Sequence, residues 1–258
     1  MNSSLFDLTG KVALITGGAG GLGSAMGCAF SAHGAMVVLC DIAGDAAKAA
    51  AAAIDNATSH TCDVSDAGQV AEMVEAIVER HGRIDVLVNN AGVHRRVDPL
   101  DIRPEDVEAQ FAVNLRGCLN MCSAVGKIML RQNTGSIINI SALGGGLMGL
   151  GRGGSVYGIT KGGVVSLTRD LAAEWSGRGI RVNALAPGWI RTPMTAALQA
   201  DAVKSAKMLE RVPLGRWGET GDVAGAAVFL ASDAASYITG HVLPIDGGAT
   251  SVIALAQD

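Results

Sequence analysis

The sequence predicts an α/β fold: a single domain with one doubly wound parallel sheet of about seven strands and helices on both faces. Three observations lead there. Short apolar runs alternate with amphipathic stretches from end to end, and strands interleaved with helices need crossover connections, which make the sheet parallel. The composition, 49% hydrophobic with 35 glycines and 3% aromatic, suits small-residue helices packed closely on both faces of a buried sheet. No Pro/Ser-rich linker, internal repeat or low-complexity segment beyond one Ala-rich helix interrupts residues 1–258, so nothing marks a domain boundary.

Strand-like runs fall at 12–16, 36–40, 59–62, 84–89, 136–141, 180–186 and 241–245. Helical stretches fall between most of them, at 22–33, 44–56, 66–81, 104–131, 156–177 and 219–231. In such sheets ligands bind outside the carboxyl ends of the strands, so the residues closing each run carry the functional reading.

The first crossover reads Thr16-Gly17-Gly18-Ala19-Gly20-Gly21-Leu22-Gly23, directly after a strand and before a helix. It fits both G-x-G-x-x-G from Gly18 and T-G-x-x-x-G-x-G from Thr16, so the part each glycine plays is left open. Missing side chains let backbone approach a pyrophosphate, whose charge a helix N-terminus favours. The second run is followed by Asp41, whose carboxylate can accept from both hydroxyls of an adenosine ribose and would repel a 2′-phosphate. No Arg or Lys lies in the glycine loop or in the residues just after Asp41 (Ile42, Ala43, Gly44). The cofactor expected is therefore NAD rather than NADP. Asp63 and Val64 end the third run and are placed to touch the adenine, with capping of the next helix as the competing use of Asp63 and Asp66 a rival for that cap.

Asn89-Asn90-Ala91-Gly92 closes the fourth run, where amides can hold neighbouring backbone and line a cofactor floor. Asn114 is an amide among Phe111, Val113 and Leu115, unfavourable inside a helix unless partnered. In Tyr157-Gly158-Ile159-Thr160-Lys161, helical spacing stacks a phenol and an ammonium on one face. A fixed positive charge beside a phenol favours the phenolate, so the pair reads as an acid/base device.

Charge and composition exclude other classes. A net charge of −4 and a pI near 5.7 offer no basic field for nucleic acid. No apolar run reaches membrane-spanning length, and the start, MNSSLFDLTGK, lacks the n- and h-regions of a signal peptide, which points to the cytoplasm. Five cysteines with no C-x-x-C spacing suit buried thiols in a reducing compartment, and no zinc or other metal site is expected. His33, His60, His81 and His241 lack acidic or cysteine companions at metal spacing.

Taken in order, Thr16-Gly17-x-x-x-Gly21-x-Gly23, Asn89-Asn90-Ala91-Gly92, Asn114, Tyr157-x-x-x-Lys161, Pro187-Gly188 and Asp246-Gly247-Gly248 resemble the short-chain dehydrogenase/reductase family over nearly the whole chain. The resemblance implies a Rossmann-type domain, usually in a homotetramer, that moves a hydride between a nicotinamide and an alcohol or ketone carbon. By position, Tyr157 would be the general acid/base, and Lys161 would bind the nicotinamide ribose and depress the tyrosine pKa. Asn114 would hold a water in the proton path. Pro187, Gly188, Ile190 and Thr192 would meet the nicotinamide end.

The family also places a serine at the end of the fifth strand, commonly as Asn-x-x-Ser, to hydrogen-bond the substrate oxygen. Here Asn139-Ile140-Ser141-Ala142 carries the serine one place early. Ser141 is the candidate, re-aimed by the following glycines, and Ser155 the fallback.

Beyond these lie features that face a substrate. The glycine-rich segment 144–154 predicts mobility, and its Met148 and Leu150 suit either a pocket wall or core packing. Trp189, Met194, Leu198 and Met208 belong to a segment that could close over substrate or form an ordinary surface helix pair. His94-Arg95-Arg96 is a basic cluster that could attract a carboxylate or phosphate, or simply be a solvated loop. The expected partner is a small-molecule alcohol or ketone. The alternatives are a 3-oxoacyl thioester reductase and a non-catalytic NAD-binding scaffold.

Overall fold

A computed structural model describes residues 5–151 and 153–252. Arg152 of the glycine-rich segment and the first four residues lie outside the described residues. The elements run β1 (Val12–Thr16), α1 (Gly21–Ala32), β2 (Met36–Asp41), α2 (Gly44–Ala52), β3 (Ala57–Thr61), α3 (Ala67–His81), β4 (Val86–Asn89) and α4 (Pro104–Phe111). A π-turn (Ala112–Gly117) leads into α5 (Cys118–Gln132), followed by β5 (Gly135–Ile140), the single irregular turn α6 (Leu143–Gly146) and α7 (Ser155–Trp175). The chain continues through β6 (Ile180–Pro187), α8 (Ala196–Ala200), α9 (Ala202–Leu209), α10 (Thr220–Ala231) and β7 (Val242–Ile245).

Among the described residues seven strands pair in parallel, in the order β3-β2-β1-β4-β5-β6-β7. The apolar runs form strands because both sheet faces are buried. Along β1, Ala13 and Ile15 enter one core with Phe30 and Val228, whereas Val12 and Leu14 enter the other with Met73 and Met121. The same two-residue alternation divides Val37 and Leu39 from Val38 and Cys40 on β2. Helices α1 and α10 cover the first face, and α3, α5 and α7 the second. Removing all this apolar surface from water is what holds the sheet between its helices.

The strand order reverses between β1 and β4, which places a crevice beyond their carboxyl ends. Thr16 ties the two strands at that point: its Oγ1 accepts from Asn90 N and Ala91 N, each at 3.0 Å.

Several boundaries differ from the sequence expectation, α2 ending at Ala52 and β4 starting at Val86 among them, and three details bear further comment. The third strand starts at Ala57, because β-pairing to Val37 and Val38 extends it beyond its apolar part. The helical stretch 104–131 is broken by the π-turn that carries Asn114. Cys28 is exposed, while Cys40, Cys62, Cys118 and Cys122 are buried free thiols. Among the described residues no helix is long and apolar enough to cross a membrane.

Candidate active site

In the glycine loop, Gly17, Gly18, Gly21 and Gly23 each sit at a positive φ or a close approach, and glycines of both patterns are among them. Gly21 sits at φ +55°, a region that suits glycine. A Cβ on Gly23 would lie 2.1 Å from the carbonyl oxygen of Gly17, so only glycine lets α1 start this close to the turn. Gly17 and Gly18 likewise abut Ala91 and Leu39. Gly20 is extended, with no atom near its missing side chain, and it precedes an α1 N-terminus that has no side-chain cap and no acidic residue in its first turn. The N–H groups of that first turn, Leu22 and Gly23 among them, are the ones a helix leaves without intrahelical partners.

Asp41 reaches this loop. Its Oδ2 accepts from Ala19 N at 3.1 Å and its Oδ1 from Ala43 N at 3.0 Å, so each oxygen keeps accepting capacity. Asp63 instead folds its Oδ1 onto Ser65 N and Oγ, while Asp66 caps α3 through Gly68 N and Gln69 N. Asp63 thus braces the turn after β3, and the cap belongs to Asp66. Val64 is buried against Gly117 of the π-turn.

Beyond β4, Asn90 donates its Nδ2 to the carbonyls of Thr16 and Gly17, both at 3.0 Å, locking the glycine loop to the fourth strand. Asn89 turns inward to Asn139 on β5, 2.9 Å away. Asn114 finds the partners that an amide in an apolar helix needs. Its Oδ1 accepts from Val93 N at 2.8 Å and its Nδ2 donates to Val93 O at 2.9 Å and Thr160 Oγ1 at 3.1 Å. Its side chain is therefore spent on holding the segment after Gly92. A cavity of about 10 Å³ is lined by Thr16, Asn89, Ala91, Asn114 and Lys161, at the lower limit of what admits one water.

Tyr157 and Lys161 meet on α7 as the spacing predicts. Lys161 Nζ lies 5.7 Å from the centre of the Tyr157 ring and donates to Ile140 O at the end of β5, 2.7 Å away. A Cβ on Gly92 would lie 3.6 Å from the same Nζ and 3.4 Å from Asn114 Oδ1, so Gly92, Asn114 and Lys161 share one spot. The electrostatics run against the sequence expectation. Burial pushes the Tyr157 phenol up to about 12 and the Lys161 ammonium down to about 8, because desolvation disfavours the charged form of each.

Ser141 does not face this cleft. It is 2% exposed, and its Oγ donates to the main-chain carbonyl of Lys161 at 3.0 Å behind the end of β5. The one-place displacement explains the result, because successive residues of an extended segment point to opposite faces. Ala142, extended at φ −159° and ψ 157°, follows it on the other side. The fallback Ser155 is exposed, two residues from Tyr157 and so on a different face of α7.

After β6, Gly188 packs against Asp246, where a Cβ would lie 2.8 Å from the Asp246 Cα, and Pro187 pairs with Ile245. Ile190 is 4% exposed and its side chain enters the core, which leaves its backbone as the part that can meet a ligand. Thr192 turns back toward the glycine loop: its Cβ lies 3.8 Å from where a Cβ on Gly21 would sit. Trp189, Leu198 and Met208 pack with Val212 and Trp217 into a small core beneath α8 and α9, whereas Met194 stays exposed.

His94 stands closer to Tyr157 than its place in a basic cluster suggests. Its ring stands edge-on to Tyr157, centroids 4.8 Å apart at 81°. Its neighbour Arg95 is engaged with Asp106 at 3.3 Å, and Arg96 is exposed. The signal available was position alone, two residues past Gly92.

A family model described as enoyl-(acyl carrier protein) reductase matches residues 17–250. Together with the motif set, that match decides the lineage. The chain belongs to the short-chain dehydrogenase/reductase family. As a short-chain dehydrogenase/reductase it is an oxidoreductase that uses a nicotinamide cofactor.

It is 43% identical over 245 residues to the 3-oxoacyl-(acyl-carrier-protein) reductase FabG of Thermotoga maritima, covering 93% of this chain and 98% of that one. It is 39% identical over 249 residues to the D-threitol dehydrogenase of Mycolicibacterium smegmatis, covering 95% of each. A gluconate 5-dehydrogenase of Burkholderia cenocepacia, solved with NADP and tartrate, superposes with a TM-score of 0.93 at 36% identity over 98% of this chain and all of that one. The crevice of this short-chain dehydrogenase/reductase fits a dinucleotide on its own evidence. The uncapped N-terminus of α1 with open space at Gly20 suits a pyrophosphate, and the remaining acceptor capacity of Asp41 suits ribose hydroxyls.

Proposed function

We propose that this short-chain dehydrogenase/reductase is an NAD-dependent dehydrogenase of polyols or related secondary alcohols, working as one catalytic domain over residues 1–258. The observation that carries the reading is the convergence of Tyr157, Lys161, Asn114 and Gly92 at the carboxyl ends of β4 and β5, beside the glycine loop. When bound, NAD supplies a carbon that accepts hydride. Tyr157 takes the proton of the alcohol hydroxyl in oxidation and returns it in ketone reduction. Lys161 binds the nicotinamide ribose, and its charge favours the phenolate against the burial that opposes it. Asn114 fixes Val93 and borders the cavity in which one water can pass the proton on.

Gly17, Gly20, Gly21, Leu22 and Gly23 hold the pyrophosphate, and Asp41 the adenosine ribose. Asp63, Val64, Asn90, Ala91 and Gly92 line the adenine and ribose side, with Pro187, Gly188, Ile190 and Thr192 at the nicotinamide end. The polyol class is supported by the D-threitol dehydrogenase relative, and the NAD preference by Asp41 with no cation beside it. A homotetramer in a reducing cytoplasm is the corresponding assembly, supported by the family resemblance and by five free thiols.

Exchanging Asp41 for Ala tests the cofactor assignment. Removing a carboxylate that receives ribose hydroxyls should weaken NAD by about 1.5–3 kcal/mol, roughly ten- to a hundredfold, and leave NADP unchanged or improved. Titration of both dinucleotides followed by fluorescence measures this, and equal losses for the two would reject NAD selectivity.

One second reading has its own support. The 43% identity to a 3-oxoacyl-(acyl-carrier-protein) reductase favours reduction of a 3-oxoacyl thioester. Comparing an acetoacetyl thioester plus NADPH with threitol, galactitol and gluconate plus NAD separates the two readings.

A further inference from the structure

Among the described residues, the hydroxyl that the resemblance leads one to expect beside the tyrosine is not in the cleft. Ser141 donates to the Lys161 carbonyl and is buried, and Ala142 brings only a methyl group. Thr160 donates its hydroxyl to the Tyr157 carbonyl and lies fully buried. Ser155 is on another face of α7. A reacting oxygen beside Tyr157 therefore needs its second hydrogen-bond donor from a different element.

His94 is placed to be that donor. Its ring contacts Tyr157 edge-on at 4.8 Å, and among the described residues neither of its ring nitrogens makes a hydrogen bond. The segment that carries it is pinned on both sides. Asn114 bonds both backbone groups of Val93, Gln110 Oε1 accepts from Arg95 N at 3.2 Å, and Val97 N donates to Gly153 O at 2.8 Å. Such anchoring fixes the backbone of a residue whose side chain stays free to meet a ligand, which is what a preorganised donor needs.

We propose that His94 donates a hydrogen bond to the reacting oxygen of the substrate beside Tyr157, taking the part that a hydroxyl at the end of β5 does not play in this chain. The proposal rests on the reading of Tyr157 as the acid/base. His94 is exposed at the surface, and partial desolvation together with the nearby Arg96 charge holds its imidazole below the usual pKa, which favours the uncharged form with one N–H donor. No proton needs to leave His94: the hydrogen bond stabilises charge developing on the substrate oxygen while Tyr157 exchanges the proton.

The test uses the full-length enzyme and four variants: His94→Phe, His94→Gln, His94→Phe with Ala142→Ser, and Tyr157→Phe. His94→Phe keeps an aromatic ring against Tyr157 but loses the donor. Its kcat for the best polyol should fall roughly 10²- to 10³-fold, with NADH affinity by fluorescence unchanged. His94→Gln, which keeps an N–H donor, should stay within about tenfold of wild type, and Ala142→Ser should restore at least about tenfold to His94→Phe. The proposal is overturned if His94→Phe turns over within about threefold of wild type, if the Gln variant is as poor as the Phe variant, or if the added hydroxyl restores nothing. Full activity in Tyr157→Phe would instead sink the acid/base reading. An inactive Tyr157→Phe alongside an unaffected His94→Phe would sink the role of His94 alone.

Discussion

Replacing Tyr157 with Phe should lower turnover by roughly 10²- to 10⁴-fold, the usual worth of a positioned general acid/base, while NAD affinity stays within about twofold. The phenyl ring still fills the space between His94 and Lys161, so the packing on α7 survives and only the proton-transferring oxygen is lost. Steady-state kinetics beside direct cofactor titration checks this: kcat and kcat/KM should fall together, as they do when an interaction made only in the transition state is removed. A variant with normal turnover would take Tyr157 out of the mechanism.

Replacing Lys161 with Met should abolish turnover and yet raise stability at pH 7. Lys161 is 4% exposed and its pKa drops from 10.5 to about 8, so burying the charged ammonium costs folding free energy below pH 8. At about 1.36 kcal/mol per pKa unit, and allowing for the hydrogen bond lost at Ile140 O, the gain is on the order of 1–2 kcal/mol.

The pH dependence follows from the direction of the shift. Between about 8 and 10.5 the unfolded chain binds the Lys161 proton and the folded chain does not, so wild-type stability rises with pH across that window. Tyr157, raised from 10.0 to about 12, acts the opposite way, and its contribution is lost as pH rises from 10 to 12. Calorimetry at pH 7 and 9.5 should show Lys161→Met ahead at the lower pH, with most of the wild-type rise missing. A Met variant less stable than wild type at pH 7 would contradict this account. A group that costs stability where it stands is the pattern expected of a side chain kept for chemistry.

The parts legible in the sequence were those governed by local rules. The strands were readable because both sheet faces are buried and the apolar runs are nearly continuous, and the glycine loop because it lies between a strand and a helix. Tyr157 and Lys161 were readable because four residues make one helical turn. What stayed hidden depends on geometry that periodicity does not encode. The run 104–131 has unbroken helical character, so the π-turn that presents Asn114 left no mark in its pattern. Ser141 is the hydroxyl nearest in sequence to the end of β5, but a shift of one residue at a strand end reverses the face. His94 looked like part of a basic cluster, because its meeting with Tyr157 arises only when the loop after β4 and the start of α7 converge in space. The balance of burial against charge at Tyr157 and Lys161 is likewise a property of their depth in the fold.

The most direct measurement is absorbance at 340 nm with the purified protein, NAD and a panel of threitol, galactitol, gluconate and simple secondary alcohols, run in parallel with Tyr157→Phe. The account predicts steady NADH formation with at least one polyol and almost none from the variant. Tight NAD binding with no turnover on any substrate, in either direction, would contradict it and leave a dinucleotide-binding scaffold.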